Sequence, residues 1–286
     1  MKPSAIGWTD FSGGDLNFVT GCTPVSEGCR NCYAKRIYDR FGRDFSKVTC
    51  HADKLDRLKR KRFPEYSPKR GAPHKPMCFV CDTGDLFHEA VPMAFIAEAL
   101  EIMANRSDVI WMVLTKRPER IAGKKWYKAK THTLGLFRPP PDDLIGVAPP
   151  SNIFLGVTAE NQRCADERIP LLLKTPAAVR FVSVEPMLGP VVLPDKALVG
   201  TGQKGVISWP GSEEYVIWNR ANAVDWVVCG AESGPNRRPF DVQWAVDLYE
   251  QCREVCLPFF GKQDSDMRPG KPLVLGDYGV VQKWPE

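Results

Sequence analysis

Three cysteines, Cys22, Cys29 and Cys32, fall in the run T-G-C-T-P-V-S-E-G-C-R-N-C-Y between Thr20 and Tyr33. Three thiolates without an equally near fourth fit a cubane iron–sulfur cluster with one open iron. A closed structural zinc site takes four protein ligands. A buried structural role for these cysteines fits poorly with a loop rich in Gly, Pro and Ser. Zinc closed by Cys50 or His51 is the main competitor, since C-x2-C is also a zinc half-site. The long gap to Cys50 and the lack of a second such pair nearby count against it. Disulfides are disfavoured, because Met1-Lys2-Pro3-Ser4 starts no apolar leader and a reducing cytoplasm is the expected compartment.

A second group of chemistry-bearing residues follows a series of apolar runs. Asp82, Gly84 and Asp85 come after 77–81, and Lys116 and Arg117 after 109–114. Thr158, Glu160 and Asn161 come after 153–157, and Glu185 after 179–184. Glu232 comes after 225–230, and Lys262 with Gln263 after 257–261. A strand that merely ends in solvent predicts Gly, Ser and Asn at its end. Recurrent ionisable groups there point to a shared pocket.

The elements that must position these groups are legible as continuous apolar runs alternating with helical spacing at 92–105, 161–173 and 242–255. A strand-like segment at 17–20 precedes the cysteines and a helical one at 32–41 follows them. About seven βα-like units result. They predict an α/β fold, a parallel full or partial TIM-type (β/α) barrel with irregular insertions. In such a barrel the C-terminal strand ends converge on one rim. The 286 residues read as a single domain, with a basic insertion at about 52–76 and irregular insertions at about 121–150 and 190–223.

The formal net charge is +5, unevenly placed. Between Lys54 and Lys75 lie Arg57, Lys59, Arg60, Lys61, Arg62, Lys69 and Arg70 as well, opposed only by Asp56 and Glu65. Phe63 and Tyr66 interleave with them. This reads as a nucleic-acid contact with stacking rings; a solvated loop is the plain alternative. No run approaches the ~18–20 apolar residues of a membrane span.

The motifs Gly7-Trp8-Thr9-Asp10, Thr20-Gly21-Cys22, Gly28-Cys29-Arg30-Asn31-Cys32-Tyr33-Ala34, Leu114-Thr115-Lys116-Arg117-Pro118, Ser183-Val184-Glu185-Pro186-Met187-Leu188-Gly189, Gly230-Ala231-Glu232-Ser233-Gly234 and Phe259-Phe260-Gly261-Lys262-Gln263 span nearly the whole chain. They resemble a phage-associated family of three-cysteine proteins of unassigned function. More broadly, a three-cysteine loop after the first strand of a parallel barrel is similar to the radical S-adenosylmethionine superfamily. Here the spacing is C-x6-C-x2-C in place of the commonest C-x3-C-x2-C.

The resemblance implies a [4Fe–4S] cluster on Cys22, Cys29 and Cys32, with S-adenosylmethionine chelating the open iron. Asp82, Gly84 or Asp85 would take the place of the usual Gly-Gly-Glu that holds the methionine ammonium. Lys116 or Arg117 would meet its carboxylate, and Thr158, Glu160 or Asn161 the ribose. Tyr33 would line the cofactor, while Glu185, Glu232 and Lys262 would serve catalysis. It further implies an external electron donor such as flavodoxin or ferredoxin, and a nucleic acid or nucleotide substrate in base modification or lesion repair. A non-catalytic zinc- or cluster-bearing nucleic-acid-binding protein and an aminocarboxypropyl transferase are the alternatives.

Overall fold

Period-two alternation organises the centre of the protein, as a computed structural model shows. The structure describes residues 3–122, 149–200, 204–207, 215–218 and 222–285, with 204–207 and 215–218 described by backbone alone. In chain order the strands are β1 Val19–Thr20, β2 Thr49–Cys50, β3 Met77–Phe79, β4 Ile110–Thr115, β5 Ile153–Thr158, β6 Val179–Val184, β7 Lys204–Ile207, β8 Tyr215–Trp218, β9 Trp226–Gly230 and β10 Phe259–Gln263. The helices are α1 Tyr33–Arg40, α2 Ala52–Leu58, α3 Met93–Ala104, α4 Gln162–Leu173, α5 Asp195–Val199 and α6 Val242–Glu254.

Six strands form one parallel sheet in the order β3-β4-β5-β6-β9-β10. In a flat sheet β3 and β9 would lie four spacings, roughly 19 Å, apart. Yet the Trp8 ring stands 5.1 Å from Phe79 on β3 and 5.9 Å from Trp226 on β9, between centroids. The sheet is therefore curled, and the architecture is an α/β half-barrel flanked by helices.

One expected unit is missing from that sheet. The segment at 17–20 contributes β1, which pairs antiparallel with β2. The N-terminal chain meets the sheet only through single parallel bridges, Phe11 with Cys78 and Gly21 with Gly84. Gly13 and Gly14 adopt left-handed φ of 77° and 60° and turn the chain away after Phe11.

Along each strand alternate side chains face opposite ways. The concave face gathers Trp8, Met77, Phe79, Met112, Phe154, Phe181, Trp226, Val228 and Phe260 into one buried cluster. The convex face, with Trp111, Leu155, Val182 and Val227, packs into a second core with Leu100 of α3, Ile169 of α4 and Leu248 of α6. Helices α4 and α6 start on side-chain caps, Asn161 accepting from the Cys164 N–H at 3.0 Å and Asp241 from the Gln243 N–H at 2.9 Å.

Gly156 is part of this packing. A Cβ there would stand 2.5 Å from the Phe181 ring. Gly156→Ala is expected to cost about 1–3 kcal/mol by overpacking, read as a lower urea midpoint at unchanged slope.

Strands β7 and β8 form an antiparallel hairpin within the expected irregular or hairpin segment at 190–223. The expected insertion at 121–150 lies, apart from its ends, outside the described residues. Among those residues no helix is long and apolar enough to cross a membrane.

Candidate functional site

The concave face changes character along the strands. Phe181, Ser183 and then Glu185 share one face of β6 and its extension, as Phe154, Gly156 and Thr158 do on β5. Phe260 is followed by Lys262 on β10, and Met112 and Leu114 by Lys116 beyond β4. Aromatic rings thus floor a cavity of about 830 Å³, and polar groups wall it where the strands end. Its walls include Cys22, Cys29, Cys32, Tyr33, Asp82, Gly84, Asp85, Lys116, Arg117, Thr158, Glu185, Glu232 and Lys262. Period two and parallel strands brought these groups together, as expected. Glu160 and Asn161 are not among the lining residues.

The cysteine loop is fixed to this rim by three sets of charged groups. Arg117, itself buried, donates to the Cys22 Sγ at 3.4 Å, to the Thr23 carbonyl at 2.8 Å and to the Thr23 hydroxyl at 2.9 Å. Its Nε bonds Glu89 at 2.8 Å. Glu160 is wholly buried beneath the loop, accepting from the Ser26 hydroxyl and paired with Arg168 at 2.8 Å and Lys116 at 3.5 Å. A Cβ on Gly28 would stand 2.8 Å from the Glu160 Oε1, so the loop passes directly over this carboxylate. Glu232 accepts from Asn31 Nδ2 at 3.0 Å and pairs with Arg238, whose guanidinium also donates to the Glu27 carbonyl at 2.9 Å.

Burial pushes Glu160 up, but Lys116, Arg168 and the Ser26 hydroxyl overcome it and hold the carboxyl at about 2. Burial likewise raises Glu232, and Arg238 with Asn31 brings it below the usual carboxylate range. Burial lifts the Cys22 thiol to about 11 against the pull of Arg117.

These contacts reassign several expected roles. Glu160, expected at a ribose, and Glu232, expected in catalysis, hold the cysteine loop. Asn161 caps α4. Asp85 is engaged inside the protein: the Thr115 hydroxyl lies 2.8 and 3.0 Å from its two oxygens, and it accepts from the Phe87 N–H at 2.9 Å and the Lys116 N–H at 3.1 Å. Gly84 lets the backbones of two segments meet, since a Cβ there would lie 2.7 Å from the Val19 carbonyl oxygen. Gln263, bonded to the Ala231 carbonyl at 2.9 Å, is structural too. Position after a strand predicts a side chain on the rim but says nothing of the partner it meets.

The groups left facing the cavity are fewer. Asp82 accepts from Asn17, and burial raises its carboxyl. The Tyr33 hydroxyl donates to the Asp82 carbonyl. Glu185 adjoins the aromatic floor: its Oε2 accepts from the Trp8 indole at 3.2 Å, and its Oε1 faces Lys262 Nζ at 3.1 Å. Gly230 leaves the space for it, since a Cβ would stand 2.7 Å from Oε1. Thr158 and Ser183 complete this floor.

Trp8, Asp10 and Asn31 stand in the sequence motifs without a role that spacing alone would assign, and Arg168 and Arg238 stand outside them. Asp10 is a buried hub, accepting from the Ser67 hydroxyl at 2.8 Å, the Lys69 N–H at 3.0 Å and the Met77 N–H at 2.8 Å. The signal for Trp8 and Asp10 is membership of Gly7-Trp8-Thr9-Asp10 and for Asn31 that of the cysteine loop; Arg168 and Arg238 carry none.

The basic segment is largely spent on the protein itself. Arg57 pairs with Asp15 and Asp53, Lys59 with Asp56, and Lys61 with Asp15, at 2.6–2.9 Å. Lys54 bonds the Asn17 carbonyl and Arg70 that of Lys75. Lys69 Nζ donates to the carbonyls of Ser4, Ile6, Gly7 and Thr9. Phe63 is not free to stack on a base, because it stands edge-on against Trp111 at 5.8 Å under the Arg106 guanidinium. The expected phosphate surface between Lys54 and Lys75 is thereby narrowed to the exposed Arg60, Arg62 and Lys75, with Tyr66 the one exposed ring of the segment's pair; alternating charges in helix α2 favour internal pairs, which a count of basic residues does not register.

The three thiols are free, partly buried and on one cavity wall. Among the described residues no three ligating side chains converge tightly enough for a single metal ion. A cubane asks for less, since each thiolate binds a different iron. Gly21, at φ 83°, passes so close to the Lys47 carbonyl oxygen that a Cβ would lie 2.3 Å from it, and holds the loop in a path no larger residue allows. Three free thiols, with a guanidinium beside one of them, fit a cationic thiolate-bound centre better than a core packing role.

Fold and site define a class: an α/β half-barrel whose three-cysteine loop closes over the C-terminal ends of parallel strands. The chain belongs to the family described as Protein of unknown function (DUF5131), which matches residues 3–273. No curated protein and no solved structure matches the chain.

Proposed function

We propose that the cavity is the active site of a [4Fe–4S]-dependent radical S-adenosylmethionine enzyme. The observation that carries this reading is the set of three free thiols on one anchored loop, facing a cavity at the parallel strand ends. When bound, the reduced cluster supplies the electron that cleaves a carbon–sulfur bond of S-adenosylmethionine, and an external donor such as flavodoxin or ferredoxin replaces it.

The chain's own residues then divide the work. Cys22, Cys29 and Cys32 hold the cluster, and Arg117 offsets thiolate charge at Cys22. Asp82 is the carboxylate for the cofactor's ammonium, because Asp85 is already engaged by the Thr115 hydroxyl and two backbone N–H groups; a cation at Asp82 opposes the effect of burial on its carboxyl. Lys116, which lines the cavity, is the cation for the cofactor carboxylate, and Thr158 the hydroxyl for its ribose. Glu185 and Lys262, an ion pair on the floor, receive the substrate and can hold or give up a proton between Oε1 and Nζ.

Anaerobically reconstituted and reduced protein is expected to release 5′-deoxyadenosine from S-adenosylmethionine, read by chromatography. Asp82→Asn is expected to weaken cofactor binding, seen as a raised KM. Methylthioadenosine as the sole product would move the protein to aminocarboxypropyl transfer. No turnover by protein with an intact cluster would leave a binding protein instead.

A further inference from the structure

The mouth of the cavity carries a charged face of its own. From Arg30 to Lys47 the chain bears Arg30, Lys35, Arg36, Arg40, Arg43 and Lys47 against Asp39 and Asp44. Lys35 pairs with Asp39 at 2.7 Å, and Asp44 accepts from the Ser46 hydroxyl and N–H. Arg40, Arg43 and Lys47 are exposed and, among the described residues, form no ion pair with a carboxylate. In the segment between Lys54 and Lys75, six of the nine cations are bonded within the protein.

The same face shows large apolar side chains to solvent, two of them rings. Tyr33, Ile37 and Phe41 follow one another at four-residue spacing on one side of α1 and are 44, 44 and 65 % exposed. A helix normally buries such a stripe. The Arg43 guanidinium lies 5.8 Å from the Phe41 ring centre, so cation and flat ring are presented side by side. The face is held rigidly to the site. Gly42 at φ 62° ends α1 with its N–H on the Asp39 carbonyl, and Tyr38 packs edge-on against Phe45 at 5.0 Å. The Phe45 carbonyl in turn accepts from the Cys22 N–H at 2.8 Å. Tyr33, Arg36 and Arg43 also reach the cavity lining.

We propose that this face, α1 with the turn at 41–47, binds a single-stranded nucleic acid segment and feeds one of its nucleotides into the cavity. Arg40, Arg43 and Lys47 meet phosphates, and a base stacks on Phe41. The combination of unpaired cations and an exposed ring is what sequence-tolerant strand binding needs. A single strand suits the site because a base must leave its stack to reach the floor at Glu185 and Lys262. An acidic protein would satisfy the cations but gives no use for an exposed Phe41 ring beside Arg43 or for Tyr33 at the cavity wall. The proposal rests on reading the cavity as a reaction site; the binding itself needs no catalysis.

The test titrates a short labelled single-stranded oligonucleotide with the full chain by fluorescence anisotropy across a salt series. Binding is expected to weaken steeply with salt. The triple variant Arg40→Ala, Arg43→Ala, Lys47→Ala is expected to lower the log–log slope by about 2, at ~0.7 per lost phosphate contact. Phe41→Ala is expected to weaken binding roughly 5- to 150-fold, as loss of one base stack does. The control triple Lys59→Ala, Arg60→Ala, Arg62→Ala should bind like the parent. The proposal is overturned by an absence of salt-dependent binding or by a parental slope in the first triple. It is equally overturned by loss of binding in the control triple, an unaffected Phe41→Ala, or a defect of the first triple confined to docking of an acidic redox protein. Cleavage of S-adenosylmethionine by the parent, assayed without nucleic acid, separates the two readings: intact cleavage with no oligonucleotide binding overturns this proposal alone.

Discussion

Each of Cys22→Ala, Cys29→Ala and Cys32→Ala is expected to strip anaerobically isolated protein of its brown absorbance. The parent should carry about four irons and four sulfides per chain, as a cubane requires. Three thiolates are the minimum that leaves one iron open, and the loop supplies no spare: among the described residues the remaining cysteines are Cys50, Cys78, Cys81, Cys164, Cys229, Cys252 and Cys256, of which only Cys81 lines the cavity. Cys78→Ala, on strand β3 and buried in the convex core, is the control that should keep its iron. Iron and sulfide analysis with absorption spectroscopy decides the matter. Stoichiometric zinc without iron in the parent, or full iron in any of the three variants, would sink the assignment.

Glu160→Ala is expected to destabilise the folded protein by about 3–5 kcal/mol, the loss typical when one partner of a buried ion pair is removed. The carboxylate is wholly buried between Arg168 and Lys116, and its removal leaves Arg168 buried without a counter-charge. The pH dependence gives a second readout. The folded carboxyl titrates near 2 and its ordinary value is 4.5, so its contribution is complete above about 4.5 and fades as pH falls toward 2. At ~1.4 kcal/mol per pH unit this is worth about 3 kcal/mol. Glu160→Gln preserves the shape but cannot titrate, so the difference in stability between parent and Gln variant should shrink on acidification. Denaturant titrations at a series of pH values measure it. A loss below about 1 kcal/mol at neutral pH, with no pH dependence of the difference, would show that the carboxylate does not clamp the loop. The cysteine loop should also loosen, seen as faster backbone hydrogen exchange between Cys22 and Cys32.

Much of the half-barrel was legible because its signals are local. Continuous apolar runs at 109–114, 153–157 and 179–184 became β4, β5 and β6 within a residue or so, and the spacing at 92–105, 161–173 and 242–255 became α3, α4 and α6. Cysteine spacing identified the loop, and strand-end position identified the rim. The segment at 17–20 was read as a first barrel strand because strand propensity does not name a partner; the turn at Gly13 and Gly14 sends it to β2.

By itself, then, the sequence determined the parallel strands, their order of polar ends and the three-thiol loop, all properties carried by periodicity and near neighbours. Which rim carboxylates remain free was decided only by tertiary structure. Glu160 meets Ser26 across 134 residues and Glu232 meets Asn31 across 201. The same is true of charge. The nine cations between Lys54 and Lys75 look like a phosphate surface until Asp15 and the carbonyls of Ser4, Ile6, Gly7 and Thr9 are seen to consume several of them. A side chain's chemistry is set by its residue type, but its availability depends on the desolvated partners that folding brings within about 3 Å, and those partners lie far away in the chain.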